Sequence, residues 1–207
     1  MLMNQDLENL GKQIQQSFLN LLKEYLPKNL LEKVKEKKTV KIISIACGKF
    51  IEAECLFNYF SPYEKWVKLY GIEIDEELLG SAKSRLLTGD KKDNIFLKSG
   101  DASSPENYKE WVKDGLFDLI IVRHPEITFN TAVFMKIFSN FDKLLDKDGY
   151  VFITTHYENE KRALKFLFNI LKFNIIHEIE NVNAASLKKG DEIVFADRFL
   201  LVANLIK

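Results

Sequence analysis

The sequence predicts an α/β protein: a seven-stranded, mostly parallel sheet with helices on both faces, preceded by helices and closed by a C-terminal antiparallel hairpin. Two observations predict it. From residue 40 onward, β-branched apolar runs alternate five times with segments of helical period. That alternation is the pattern of parallel strands joined by crossover helices. The last two strand-like segments have no helix between them, so they pair antiparallel.

Each element follows from its residues. In residues 4–26, Leu10, Ile14, Phe18, Leu21, Leu22 and Tyr25 recur at helical spacing and Pro27 ends the helix. A short helix covers residues 30–37. Strand 40–46 precedes helix 51–60, and strand 67–74 ("VKLYGIEI") precedes helix 75–87, with Asp75 as N-cap. Strand 94–98 leads to helix 105–113, with Pro105 in its first turn. Strand 117–122 is followed by helix 128–145, the turn signal "DKDG", strand 150–155 and helix 157–171. Residues 173–182 and 193–206 read as two long strands. The division is an N-terminal helical lid, 1–38, and a sheet domain, 39–207.

Composition narrows the function classes. The 207 residues suffice for one substantial domain, and 46% apolar with 29% charged residues is ordinary for a globular protein. Lys+Arg and Asp+Glu are equal at 30 each, which disfavours nucleic acid as a partner. The lysine-dense "KVKEKKTVK" reads as a solvated helix end. Two cysteines, Cys47 and Cys55, make no disulfide framework or zinc spacing. With no leader pattern and no membrane-length apolar run, the expectation is a cytoplasmic protein.

In an open parallel sheet, ligands bind beyond the carboxyl ends of the strands. The polar residues there are Ala46–Lys49 after the first strand, Glu73 with Asp75 at the second, and Gly100–Ala102 after the third. "RHPE" (Arg123 to Glu126) follows the fourth strand and "THYE" (Thr155 to Glu158) the fifth. The stretch "VKIISIACGKFIEAE" has the strand–Gly turn–helix layout that cradles a nucleotide-like cofactor, but with a single glycine, Gly48, and a bulky Phe50. Glu73 interrupts an apolar strand where a carboxylate can accept from both hydroxyls of a ribose. Its alternative is a strand-end charge facing water. Asp101 can accept from an adenine amino group, or form a turn or helix cap.

With these parts in this order, the chain resembles the class I S-adenosylmethionine-dependent methyltransferases from about residue 40 to its end. The segments are "IISIACGKF", "LYGIEIDEELLGSA", "LKSGDASS", "FDLIIVRHPE", "LLDKDGYVFIT" and the closing hairpin, whose last strand in that family inserts between the fifth and sixth. The resemblance implies a Rossmann-like fold and S-adenosylmethionine as cofactor. It implies Ala46, Cys47, Gly48, Glu73, Ile74, Asp101, Ala102 and Arg123 as cofactor-binding residues. The departures are Ser44, where the family usually has an acid, and Ala46 and Phe50, where it has small residues. Phe50 either points into the core or blocks the pocket.

His124 and His156 both follow neighbouring strands at the ligand end and are candidate general bases, or else hydrogen-bonded loop histidines. His177 lies in alternating strand sequence and reads as structural. "RHPE" keeps only the proline of the Asn/Asp-Pro-Pro-aromatic motif of amino-methylating members, so methylation of adenine or glutamine amino groups is not supported. His124, Glu126, His156 and Glu158 have no spacing that fixes a metal, and none is expected. The resemblance implies O- or N-methylation of a small molecule or protein side chain. The alternative is an inactive methyltransferase-fold scaffold protein. A homodimer is left open. The N-terminal helix, with Phe18, Leu22 and Tyr25, is expected to cover the histidine cleft.

Overall fold

The computed structural model describes residues 2–88, 90–189 and 192–206. The chain begins with α1 (Leu2–Tyr25) and α2 (Lys28–Lys35). Then follow β1 (Val40–Ile45), α3 (Glu52–Phe60), β2 (Val67–Glu73), α4 (Glu76–Leu86), β3 (Ile95–Ser99), α5 (Lys109–Val112) and β4 (Phe117–Arg123). The chain continues through α6 (Thr131–Ser139), α7 (Phe141–Leu144), β5 (Leu145–Thr155), α8 (Glu158–Ile170) and β6 (Phe173–Glu180). It ends with β7 (Ser186–Lys189), β8 (Glu192–Phe195) and β9 (Phe199–Leu205).

The seven-stranded sheet has the order β3-β2-β1-β4-β5-β9-β6. Strands β1 to β5 are parallel, whereas β9 runs antiparallel between β5 and β6. The order reverses at β1, so the crevice between the β1 and β4 ends is the switch point where ligands of such sheets bind.

Four expectations are corrected. The final strand, expected over residues 193–206, is broken into β8 and β9 by Asp197, whose left-handed φ of 54° no strand can carry. This frees β7 and β8 to form a separate hairpin. The helix expected over 128–145 is split at Asn140, whose buried side chain donates to the Ser103 carbonyl at 3.0 Å. The "DKDG" turn is a bulge inside a longer β5: Phe117 pairs with Leu145 and Leu119 with Tyr150, so the extra residues loop out. The helix expected over 105–113 starts as a 3₁₀ turn, Pro105–Tyr108.

Each sheet face has its own core. On one face, Phe18, Leu22, Leu26 and Leu30 pack with Phe50, Leu56, Phe60 and the β1, β4, β5 and β9 side chains. On the other, Tyr108, Phe134, Phe138, Phe141 and Phe168 do the same. Phe18 meets Phe152 edge-on at 5.9 Å, which seats α1 directly on the sheet. No described helix is long and apolar enough to cross a membrane.

Candidate active site

The β1 turn is built by backbone strain and one strand glycine. Ala46, Gly48 and Phe50 all have left-handed φ, at 51°, 53° and 50°. This alternation turns the Phe50 side chain under the loop, where it is fully buried. Room for it comes from Gly71 in the middle of β2. A Cβ there would lie 2.9 Å from Cys47 Sγ, 2.8 Å from Leu97 Cδ2 and 3.2 Å from Phe50 Cδ1. A glycine inside a strand marks such a close approach. Phe50 is therefore a core residue and does not stand in the ligand crevice. Arg85 on α4 holds the turn from outside, donating to the Lys49 carbonyl at 2.7 Å and the Phe50 carbonyl at 3.1 Å.

Glu73 ends β2 and is buried. Its Oε2 accepts from Gly48 N at 2.7 Å, and its Oε1 from Ile74 N at 2.9 Å and Asp75 N at 3.0 Å. The carboxylate thus ties the β1 turn to the β2 end. Oε2 carries one bond and keeps acceptor capacity for a hydroxyl. Beside it, Ile74 is 70% exposed, a large apolar side chain presented at the ligand end. Ala46 is exposed as well, and Cys47 is buried beneath the turn. Burial, with Glu52 and Glu73 nearby, pushes the Cys47 thiol far above its ordinary value, so it is no nucleophile.

Asp101 holds its own turn, with Oδ1 accepting from Ser103 N at 2.7 Å and Oδ2 from Ser103 Oγ at 2.9 Å, and the residue is exposed. Ala102 is buried, and its carbonyl accepts from Tyr108 Oη at 2.7 Å. Asp75 caps α4 through Glu77 N and Leu78 N, as its sequence position implies.

Arg123 stands apart from this group. Its guanidinium turns onto the α1 face, 4.2 Å above the Phe18 ring, with only 7% of the side chain exposed. There it donates to Asp197 through Nε at 3.1 Å and Nη2 at 2.6 Å, while Nη1 lies 3.8 Å from Glu52 Oε2. Glu52 is also bonded to Ser44 Oγ. Glu52 thus brings a carboxylate from α3 against Ser44, the position where the resemblance leads one to expect an acid. Burial alone would raise Asp197, but Arg123 and His124 override it and hold the carboxyl well below the usual range.

His124 and His156 come together. Their rings stack with centroids 3.8 Å apart and planes 20° off parallel. His124 itself has a left-handed φ of 52°. Its Nε2 accepts from Asp197 N at 3.0 Å and lies 2.9 Å from Asp197 Oδ1. Neutral His124 accepts the amide; protonated His124 donates to the carboxylate. It has a partner in either state. His156 Nδ1 lies 3.0 Å from the Phe195 carbonyl, which can only accept. In neutral His156 the proton is then on Nδ1 and the basic lone pair on Nε2.

Both histidines line a cavity of about 470 Å³ at the β4 and β5 ends, together with Glu126, Phe129, Tyr157, Glu160 and Glu192. Among the described residues none of α1 lines it, and Phe18, Leu22 and Tyr25 do not form the expected cover over this cleft. Those side chains pack on the sheet face, and Tyr25 meets His177 at 5.6 Å. Sequence reasoning missed Glu52, Asp197, Glu160 and Glu192. Asp197 carried a signal: with Arg198 it interrupts the apolar run "VFADRFLLV". Among the described residues, no group of three or more His, Cys, Asp or Glu is arranged to hold a metal.

No family model and no curated protein sequence matches the chain. Solved structures do match. TrmN from Thermus thermophilus superposes with a TM-score of 0.57 at 16% identity, over 86% of this chain and 48% of its own. The chain thus spans about half the length of TrmN (48%). Precorrin-6y C5,15-methyltransferase from Geobacter metallireducens GS-15 gives 0.59 at 11% identity, over 86% of each chain. TrmK from M. capricolum, solved in complex with S-adenosyl-homocysteine, gives 0.55 at 13% identity, over 86% of this chain and 68% of its own. The chain has the Rossmann-like fold of the class I methyltransferases, including their inserted last strand.

Proposed function

We propose that this protein is an S-adenosylmethionine-dependent methyltransferase of the cytoplasm, acting on a small molecule or protein side chain. The observation that carries the reading is Glu73: a buried carboxylate at the β2 end, bonded to the Gly48 amide of the β1 turn and flanked by exposed Ile74. Glu73 would hold the ribose, Ile74 would cover the adenine, and Ala46 and Gly48 would leave space for the methionine part. S-adenosylmethionine supplies a methyl group already activated on a sulfonium. The chain then has to orient the acceptor, exclude water and receive a proton. The stacked histidines are the proton acceptors of this reading, with His156 Nε2 the basic nitrogen.

Glu73→Ala is expected to weaken binding of S-adenosylhomocysteine about ten- to hundredfold, the effect of losing a charged hydrogen-bond partner. Calorimetry on the wild type and variant measures this. One feature favours the scaffold reading: Glu73 already takes three backbone amides and closes the turn upon itself. Absence of saturable binding to the wild type would leave that reading standing.

A further inference from the structure

We propose that the cavity at the β4 and β5 ends binds a cationic amine, and that the methyl acceptor is that amine's nitrogen. This rests on the methyltransferase reading above. Three of the lining residues are glutamates, Glu126, Glu160 and Glu192, and among the described residues no lysine or arginine lines the cavity. Glu126 and Glu192 form no ion pair among the described residues.

Glu160 is the decisive group. It is 4% exposed yet lines the cavity. Its carboxylate caps the start of α8 through the backbone amides of His156 and Tyr157, the latter at 3.4 Å, the outer limit of a hydrogen bond, and His124 and Glu126 lie near it. A buried carboxylate held by backbone amides keeps further acceptor capacity, and a cation or donor in the cavity would complete it. Burial, with Glu126 nearby, raises its pKa against the lowering pull of the backbone amides and His124, and an ammonium would offset the rise by its charge. The remaining walls suit the same ligand. Phe129 is 85% exposed, and with Tyr157 it offers aromatic faces to a cation and to its alkyl stem. A volume of about 470 Å³ admits an alkylammonium or a lysine side chain.

The chemistry balances. The bound ammonium gives one proton to His156 Nε2 and becomes a neutral amine. Its lone pair forms the nitrogen–carbon bond as the carbon–sulfur bond breaks, with those electrons remaining on sulfur. The products are S-adenosylhomocysteine and an N-methylammonium.

The test uses the full chain without cofactor and follows amide shifts by NMR. The probes are Nα-acetyl-lysine-N-methylamide, spermidine and, as neutral isostere, Nα-acetyl-norleucine-N-methylamide. The amines are expected to saturate shifts at Glu126, His156 and Glu160, and the norleucine compound is not. Glu160→Gln should weaken amine binding about tenfold, and Glu192→Gln, at an exposed position, should weaken it in the same direction. Equal binding of lysine and norleucine probes, or no binding of either, overturns the proposal, as does unchanged affinity in both variants. Calorimetry with S-adenosylhomocysteine on the same sample separates the two readings. S-adenosylhomocysteine binding without amine binding refutes the amine pocket alone. Amine binding without it supports the pocket and removes the methyltransferase reading.

Discussion

Asp197→Ala is expected to destabilise the protein by about 3–5 kcal/mol, the usual cost of breaking a buried ion pair by removing one partner. Asp197 is fully buried and satisfies Arg123, Thr154 Oγ1 at 2.5 Å and the His124 ring. Its removal leaves a buried guanidinium with the Phe18 ring and, as a carboxylate, Glu52 at 3.8 Å, and it puts alanine at a left-handed φ. Urea unfolding should show the loss as a lower midpoint with unchanged slope. For a chain of this size, the melting temperature should fall by roughly 6–20 °C. Asp197→Asn should lose less, because asparagine tolerates the left-handed backbone and keeps the shape.

The same carboxylate dictates a pH dependence. Its folded pKa is depressed, so its contribution is present above the unfolded value, about 3.9. It is lost as pH falls below that value toward the folded pKa. The Asn variant should lack this part of the acid limb. If Asp197→Ala costs less than about 1 kcal/mol, or if the acid limbs of wild type and Asn variant coincide, the network is not the clamp described here.

The fold was legible because its signals are local and periodic. Runs such as "FDLIIV" are buried along their length, and the helices between them bury one face each. Pro27 and Asp75 end α1 and cap α4 as their chemistry requires. The strand break at Asp197 was hidden because apolar residues on both sides fit one long strand. What breaks it is a bond to Arg123, seventy-four positions away in the chain. No window of sequence contains both partners. The "DKDG" bulge was misread for a related reason: a turn signal and a bulge use the same residues, and only pairing to Phe117 decides between them.

The candidate site divides along the same line. Glu73 and Gly48 were singled out from the strand–Gly turn–helix layout and from position, since strand ends in this topology face the ligand, and the structure bonds the one to the other. Arg123 satisfied that positional rule, yet its side chain turns toward Phe18 and Asp197. A strand end fixes where a backbone is, not which way a long side chain leaves it. The two histidines were placed on one cleft because β4 and β5 are neighbours, and the structure stacks them. Glu160 and Glu192 escaped notice because one belongs to the first turn of α8 and the other opens β8 in the small hairpin, neither of which is a carboxyl end of a strand of the main sheet.

Phe50→Ala is expected to cost about 3–5 kcal/mol, as for other fully buried phenylalanines. It should not improve affinity for S-adenosylhomocysteine, because the ring lies beneath the turn and lines none of the described cavities. The partner in this packing is Gly71. In the wild type, Gly71→Ala would drive a Cβ against Leu97, Cys47 and Phe50, at 2.8, 2.9 and 3.2 Å. Overpacking of this kind costs about 1–3 kcal/mol. Trimming Phe50 first removes one of those contacts and gives Cys47 and Leu97 space to shift. The double variant should therefore be more stable than the sum of the single losses predicts, by about 0.5–3 kcal/mol. A double-mutant cycle by urea unfolding measures the coupling. Strict additivity would mean that Phe50 and Gly71 do not share this space. A clear gain in cofactor-product affinity in Phe50→Ala would mean that the ring obstructs the crevice after all.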